Sequence, residues 1–215
     1  MIRIRRGSES SAALDIRRLA AVCGIAVPVI SLIVVLTMTH LHPGYSTVTQ
    51  RISELGAAGA PYAIVMNLAG LIASGVLLIV LSLGLYLGVR DGRSSKIGAA
   101  LLALCGAALV MTGIFPLDAG GLAVSGPGMA HGFFARIGES AIIVAALALF
   151  FGLRKDERWH ACAFYCLITA VVATALYLVV DLDFVAPWKG VLQRILVAVP
   201  LMWIEVISVR LLFLS

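Results

Sequence analysis

Six apolar runs separated by polar segments organise the chain. Each run is about as long as the roughly 20 residues that a helix needs to cross the hydrocarbon of a bilayer. The runs cover residues 19–39, 62–89, 97–116, 132–153, 161–180 and 191–214. The first run follows several arginines, as in a secretory signal, but it is longer than such a segment and no small-residue cleavage site follows it. The pattern predicts an all-α polytopic membrane protein with six transmembrane helices.

The composition supports this class and excludes others. Hydrophobic residues make up 61% of the 215 residues, charged residues make up 13%, and the mean hydropathy is +1.07. Because a soluble domain carries about 25% charged residues, this chain has too little polar surface to cover a core in water. Disorder requires a polar, highly charged chain. The four cysteines all lie in apolar runs and do not indicate a disulfide scaffold.

Basic residues are distributed unevenly between the two ends of the predicted spans. Twelve of the 16 lie at one end, namely Arg3, Arg5, Arg6, Arg17, Arg18, Arg90, Arg93, Lys96, Arg154, Lys155, Arg158 and Arg210. The other four are Arg51, Arg136, Lys189 and Arg194. Since Lys and Arg accumulate in cytoplasmic loops, both termini are predicted to be cytoplasmic. Residues 1–18 then form a cytoplasmic basic segment and residues 19–215 a single transmembrane domain. The net charge of +5 reflects topology, and no nucleic-acid partner is predicted.

Small residues recur at helical spacing within the spans. Gly84 and Gly88 form a GxxxG pair, and Ala99, Ala103 and Ala107 share one face of the third span. Such faces allow helices to pack closely. They suit packing within the bundle, and they also suit a homo-oligomer or a membrane-protein partner.

The outer loops are longer than the cytoplasmic ones. Residues 40–61 and 117–131 form two of them, and loops of this length often carry function. In the first, Ser46 or Thr47 is predicted to cap a short helix over residues 50–55 that ends at Gly56. Ile52 and Leu55 are three residues apart, so this helix is expected to lie on the membrane surface with one apolar face.

Polar and ionisable residues gather in the outer half of the spans and at their outer ends. They are Glu54, Asn67, Thr112, Asp118, His131, Arg136, Glu139, Asp181, Asp183 and Arg194. In the cytoplasmic half, only Glu205 is a comparable charge. Charges inside a membrane are costly and are therefore candidates for function. Their convergence predicts a polar site in the outer half.

Two ion pairs are expected in this layer. Arg136 and Glu139 are three residues apart on one helix face, and Glu139 lies about 12 Å deeper than His131 at 1.5 Å per residue. A carboxylate at that depth needs a partner, and Arg136 is the nearest one. Arg194 is expected to pair with Asp181 or Asp183 across a short loop. The alternative is that these ion pairs only hold helices together. Asp118, likewise, would have a structural role if it only caps the outer end of its span.

His131 is the strongest single candidate, since an imidazole titrates near neutrality and binds metals. Together with a carboxylate it would supply an acid and a base. The candidate catalytic residues are His131, Asp118 and Glu54. A metal ion held by these three is a less favoured alternative because the chain has no HxxxH or HExxH pair, and no cofactor is predicted.

Arginines in the same layer offer forked donors for a phosphate group. The candidate ligand-binding residues are Arg51, Asn67, Arg136, Glu139, Asp181 and Arg194.

Three motifs resemble a bacterial integral membrane family known as domain of unknown function 998. They are Arg51-Ile-Ser-Glu-Leu-Gly56 with Gly59-Ala-Pro61 and Met66-Asn67; Gly113-Ile-Phe-Pro-Leu-Asp118 with His131; and Gly190-Val-Leu-Gln-Arg194. That family more often has Glu where this chain has Gln193. The resemblance covers residues 20–212 and implies six helices, a prokaryotic cytoplasmic (inner) membrane, and no established activity. More remotely, the chain is similar to the six-span Frag1/DRAM/Sfk1 group, some of whose members are tied to lipid remodelling or lipid asymmetry.

Three functions are compatible with these patterns. The favoured one is binding or modification of a lipid headgroup, or of another amphiphile, in a polar pocket in the outer half of the membrane. A non-catalytic scaffold or assembly subunit is an alternative that suits the small-residue faces. A small proton-coupled transporter is another, although the cytoplasmic half lacks a matching polar path apart from Glu205.

Overall fold

Six long helices make up the chain in the computed structural model, in which residues 11–89 and 92–215 are described. They are α1 (Ser11–Leu41), α2 (Ala63–Gly88), α3 (Arg93–Ile114), α4 (Gly126–Leu153), α5 (His160–Val179) and α6 (Lys189–Phe213). Each is long and apolar enough to cross a membrane. The predicted all-α fold with six spans is confirmed, and the chain is an integral, multi-pass membrane protein.

The ends of two helices differ most from the apolar runs. Helix α1 begins at Ser11 rather than near residue 19, so Arg17 and Arg18 of the predicted basic segment are helical. Helix α4 begins at Gly126, where Ser125 caps it by accepting a hydrogen bond from the Gly128 amide. Helices extend past the apolar run because backbone hydrogen bonding does not require apolar side chains. Arg3, Arg5, Arg6 and Arg90 lie outside the described residues.

The helices form a closed ring in chain order. Each packs against the next, and α6 packs against α1. Helices α2 and α3 touch backbone to backbone, since a Cβ added at Gly75 would lie 2.5 Å from the Gly106 carbonyl oxygen. Gly84 and Gly88 are also used inside the ring, against Ala20 and Leu211 respectively. These two glycines therefore serve the fold itself, and an oligomer through other faces stays a prediction.

Three short 3₁₀ helices cover one end of the ring. They are Ile52–Gly56, Ala119–Gly121 and Asp183–Trp188. We call this end the loop face and define it as residues 42–62, 115–125 and 180–188. The short helix predicted in the first loop exists, and its position relative to a membrane surface stays a prediction. Leu55 is 1% exposed and packs in a small core with Val34, Met38 and Met66, so this apolar side chain is buried against α1 and α2.

Helix α2 is not a regular α-helix where it approaches the loop face. Over Met66–Ala73 it widens into a π-helix, a distortion that is frequent at functional sites. This segment places Met66, Gly70 and Leu71 on the inside of the ring.

Candidate functional site

A cavity of about 410 Å³ occupies the centre of the ring near the loop face. This volume lies within the range of roughly 300–1,000 Å³ that is usual for small-molecule sites. All six helices contribute to its wall, with Val27 from α1, Leu78 from α2, Leu109 from α3, Ile142 from α4 and Ala173 from α5, and with Ile204 from α6. A site shared by every helix of the bundle depends on the whole fold.

The cavity is apolar at depth and polar near the loop face. On α4, its lining residues run from His131 to Ile143, which is about 18 Å along the helix axis. The deep part is mostly aliphatic, and the hydroxyl groups of Ser31 and Ser74, 3.3 Å apart, and the Cys105 thiol interrupt it. Four ionisable lining residues lie toward the loop face, namely Arg51, His131, Arg136 and Asp181, and a fifth, Glu139, lies about 12 Å further along α4 than His131. An amphiphile has the same division between polar head and apolar chain.

Asp181 connects two arginines at the polar end of the cavity. Its Oδ1 accepts a hydrogen bond from Arg51 Nη2, and its Oδ2 accepts one from Arg136 Nη2. The three residues come from the first loop, from α4 and from the segment after α5. The Arg136 guanidinium also lies 5.6 Å from the centre of the Tyr177 ring. The contact ties the loop face together across the mouth of the cavity.

The predicted pair between Arg136 and Glu139 is wrong. Arg136 binds Asp181 instead, because the segment after α5 brings that carboxylate to the Nη2 atom of the arginine. Glu139 lines the cavity, and none of the residues that the structure describes donates a hydrogen bond to its carboxylate or forms an ion pair with it. Its carboxylate is therefore available to a ligand.

His131 is held in one orientation by α3. Its Nδ1 lies 3.0 Å from the Thr112 carbonyl oxygen and 2.8 Å from the Phe115 carbonyl oxygen. Since carbonyl oxygens only accept hydrogen bonds, Nδ1 carries a proton, and in the neutral ring Nε2 carries the lone pair. The side chain is 3% exposed and lines the cavity. Fixing the tautomer in this way is how proteins orient a histidine for acid–base work or binding.

Glu54 is used to shape the first loop. Its Oε1 accepts a hydrogen bond of 2.9 Å from the Arg51 amide, and its Oε2 accepts one of 3.2 Å from Gln50 Nε2. Lys189 Nζ lies 3.9 Å away. The chain of Gly121 also approaches closely, since a Cβ there would lie 2.5 Å from Glu54 Cγ. Glu54 thus starts the 3₁₀ helix Ile52–Gly56 and does not line the cavity.

Asp118 positions the start of α4. Its Oδ2 accepts hydrogen bonds of 2.8 Å from the Val124 and Ser125 amides, and its Oδ1 accepts one from the Ser125 hydroxyl. Ser125 in turn caps α4. Asp118 does not line the cavity. Within residues 11–89 and 92–215, no three His, Cys, Asp or Glu side chains are placed to hold a metal ion, so the metal alternative gains no support.

We expect the Asp118 carboxyl to titrate below its ordinary pKa of about 3.9. The Ser125 hydroxyl and the Ser125 and Val124 amides favour the ionised form and lower the pKa of Asp118. The stabilisation of the fold by ionised Asp118 is therefore complete above the ordinary pKa of the carboxyl group. It is lost as the pH falls through the lower pKa of the folded state. A ¹³C NMR titration of the carboxyl carbon measures this pKa. Replacing Ser125 with alanine should raise the midpoint, and an unchanged midpoint would refute the assignment.

Arg194 binds the first loop rather than an acid. Its Nη1 donates hydrogen bonds to the carbonyl oxygens of Thr47, Gln50 and Gly190 at 2.9, 3.0 and 2.9 Å. Its Nη2 donates to the Tyr45 hydroxyl at 2.7 Å. The predicted pair with Asp181 or Asp183 is wrong, because two carbonyls of the first loop, the Gly190 carbonyl of α6 and a phenol surround the guanidinium. Asp181 instead binds Arg51 and Arg136. Burial raises the pKa of Tyr45.

Two further residues of the last motif join this contact. Gln193 Oε1 accepts a hydrogen bond of 2.7 Å from the Ile52 amide, and Gly190 lies so close to the loop that a Cβ would be 2.4 Å from the Gln50 carbonyl oxygen. We call Gly190, Gln193 and Arg194, with Tyr45, the loop interlock. The motifs at residues 51–56 and 190–194 thus bind each other, which their separation in sequence did not reveal.

Asn67 also holds the first loop. Its Nδ2 donates a hydrogen bond of 2.9 Å to the Gly56 carbonyl oxygen, and its buried Oδ1 has no partner among the described residues.

Of the candidate site residues, five line the cavity, namely Arg51, His131, Arg136, Glu139 and Asp181. The other four, Glu54, Asn67, Asp118 and Arg194, shape the loops around it. Sequence reasoning missed Ser31 and Ser74, whose only signal is a hydroxyl group in an otherwise apolar run.

Comparisons with known proteins agree with the motifs. No curated protein and no solved structure matches the chain. The sequence matches the family described as "Protein of unknown function (DUF998)" over residues 25–210, which covers all six helices at least in part. The chain therefore belongs to the DUF998 family of integral membrane proteins.

Proposed function

We propose that the protein binds a lipid or another membrane amphiphile in the central cavity. The supporting observation is the uneven distribution of polar groups along its wall, which is mostly aliphatic at depth and has Arg51, His131, Arg136 and Asp181 toward the loop face. In this arrangement the apolar chain of the ligand replaces contact with bilayer lipid, and the headgroup meets Arg51, Arg136 and the Nε2 atom of His131. His131 is buried, and a buried polar atom such as its Nε2 favours a hydrogen-bond partner, which a headgroup supplies.

We also propose that the loop face lies on the outer side of a prokaryotic inner membrane and that both termini lie in the cytoplasm. The excess of Lys and Arg at the end of the ring that holds the termini supports this orientation. A reporter enzyme fused to the C-terminus, active on only one side of the membrane, would test it.

Filling the cavity should remove the ligand. Ala135 lies at the middle of the α4 face that lines the cavity, between His131 and Glu139, so we expect Ala135→Trp to occupy the space of the apolar chain. Val144, on the same helix, is 48% exposed on the outside of the ring, and Val144→Trp is the matched control. The measurement is native mass spectrometry of protein purified in a neutral detergent. The wild type and Val144→Trp should retain an amphiphile, whereas Ala135→Trp should retain almost none.

The same experiment separates the proposal from its main alternative. Equal retention by both variants would place the amphiphile on the outside of the helices and contradict a cavity ligand. If the wild type retains nothing and takes up no added lipid, the assembly-subunit alternative is favoured. Thermal unfolding of each variant shows whether a loss of ligand only reflects a loss of structure.

A further inference from the structure

We infer that the headgroup of the ligand carries an oxyanion, and that Asp181 occupies the oxyanion position while the site is empty. This inference rests on the proposed function and specifies its substrate class. The key observation is that each oxygen of Asp181 accepts a hydrogen bond from a different arginine, Arg51 or Arg136. Two guanidinium groups from separate elements thus converge on one anionic group at the mouth of the cavity.

The two arginines have more donors than Asp181 uses. A guanidinium has five N–H donors, and Arg51 Nε is buried without a partner among the described residues. A phosphate group offers more acceptor oxygens than a carboxylate and binds arginine through paired donors. An entering phosphate would therefore satisfy donors that Asp181 leaves unpaired.

The position of Asp181 also allows its carboxylate to be displaced from the two arginines. Its side chain is 33% exposed, and it lies on the turn between α5 and the 3₁₀ helix Asp183–Trp188. Ion pairs at partly exposed positions are weak. Arg51 and Arg136 are 36% and 52% exposed, so an anion can reach both from the loop face.

The charges at the mouth leave room for an anion. Arg51, Arg136 and Asp181 together carry one net positive charge. Glu139, on the same helix as Arg136, cancels that charge when it is ionised and leaves it when it is protonated. Lys189 and Glu54 face each other at 3.9 Å and offset one another. Removing the charge of Asp181 therefore increases the attraction for an anionic headgroup at this position.

Asp181→Asn tests the inference directly. We expect the variant to bind dodecyl phosphate about tenfold more tightly than the wild type does, because an internal competitor for both arginines is lost. Dodecanoate should show the same direction of change, and 1-dodecanol, which has no charge, should show none. Inorganic phosphate distinguishes a free anion from a headgroup, since it should bind far more weakly than dodecyl phosphate. The measurement is isothermal titration calorimetry in neutral detergent micelles.

Asp183→Asn is the matched control. Asp183 lies two residues further along the chain and carries the same charge, but it does not line the cavity. This variant should bind all probes as the wild type does. If Asp183→Asn strengthens dodecyl phosphate binding as much as Asp181→Asn, the effect is only a change in net charge, and the inference is overturned. An unchanged or weaker affinity in a folded Asp181→Asn variant overturns it as well.

A second pair of variants keeps the test valid if Asp181→Asn unfolds. Arg136→Gln should weaken dodecyl phosphate binding about tenfold, whereas Glu139→Gln, which fixes the neutral side chain, should strengthen it. Opposite results would refute the oxyanion position. Binding of 1-dodecanol that Ala135→Trp abolishes, without any response to these charge variants, would leave the cavity ligand intact and disprove only its charge.

Discussion

Replacing Arg194 with alanine is expected to lower the free energy of unfolding by about 3 kcal/mol. One guanidinium donates to three carbonyl oxygens and to the Tyr45 hydroxyl, and a hydrogen bond to a charged group contributes roughly 1.5–3 kcal/mol. The total stays below the sum of these bonds because water replaces part of them at a partly exposed position. Thermal unfolding in detergent micelles measures the loss.

Amide hydrogen exchange shows whether the loss of stability in Arg194→Ala is centred on the loop interlock. The Ile52 and Gly190 amides donate to Gln193 and Val48 across the loop interlock, and both should exchange faster in Arg194→Ala. Lys189→Ala is the control. Lys189 is 40% exposed and its Nζ lies as far as 3.9 Å from Glu54 Oε1, so the ion pair is weak. Its removal should change the free energy of unfolding by less than about 0.5 kcal/mol. Arg194→Lys should recover only part of the stability, because a single ammonium does not reach four acceptors. Equal stability of Arg194→Ala and Lys189→Ala would contradict the role of the interlock.

Gly75→Ala is the second change with a large expected effect, about 2 kcal/mol of destabilisation. Its Cβ would lie 2.5 Å from the Gly106 carbonyl oxygen and 2.9 Å from the Val110 amide nitrogen. Both are backbone atoms, so α2 and α3 must separate, and overpacking typically costs about 1–3 kcal/mol. Thermal unfolding and the elution profile in detergent report the change.

A reciprocal variant sharpens this prediction. A Cβ at Gly106 would lie 2.6 Å from the Gly75 carbonyl oxygen, so Gly106→Ala opens the same crossing. The double variant should therefore cost less than the two single variants together, since contacting sites are not additive. Gly132→Ala is the control: apart from its chain neighbours and the backbone of its own helix, no atom of the described residues lies within 4 Å of a Cβ there, and alanine in a helix should gain about 0.5–1 kcal/mol. If Gly75→Ala were as stable as this control, the close crossing would be disproved.

Five of the candidate site residues suggested by the sequence line one cavity. His131, Arg136, Glu139 and Asp181 belonged to the predicted polar layer in the outer half of the spans and at their outer ends, and Arg51 was a candidate ligand-binding residue in the first loop. Residue number indicates depth along a helix because each helical residue adds a fixed rise. Depth alone does not give the direction of a side chain around the ring, so the same reasoning also included residues that only shape the loops.

The partners of the charged groups were not predictable in the same way. Local spacing favoured Arg136 with Glu139, and Arg194 with a nearby aspartate, but the contacts run between Arg136 and Asp181 and between Arg194 and the first loop. An arginine side chain is long and reaches several elements, so its partner depends on how the loops fold over the ring. Asp118 and Glu54 show the same effect, since backbone amides of their own loops bind them.

The sequence by itself determined that this protein has six transmembrane helices and that its polar groups gather at one level, because bilayer thickness and helical rise act on residue order alone. Tertiary structure decided the rest. The order of helices around the ring created a cavity, and the docking of the first loop on α6 set which charges face it. These outcomes depend on contacts between residues far apart in the chain, where the fit of backbone and side chain is settled only once all the elements have packed.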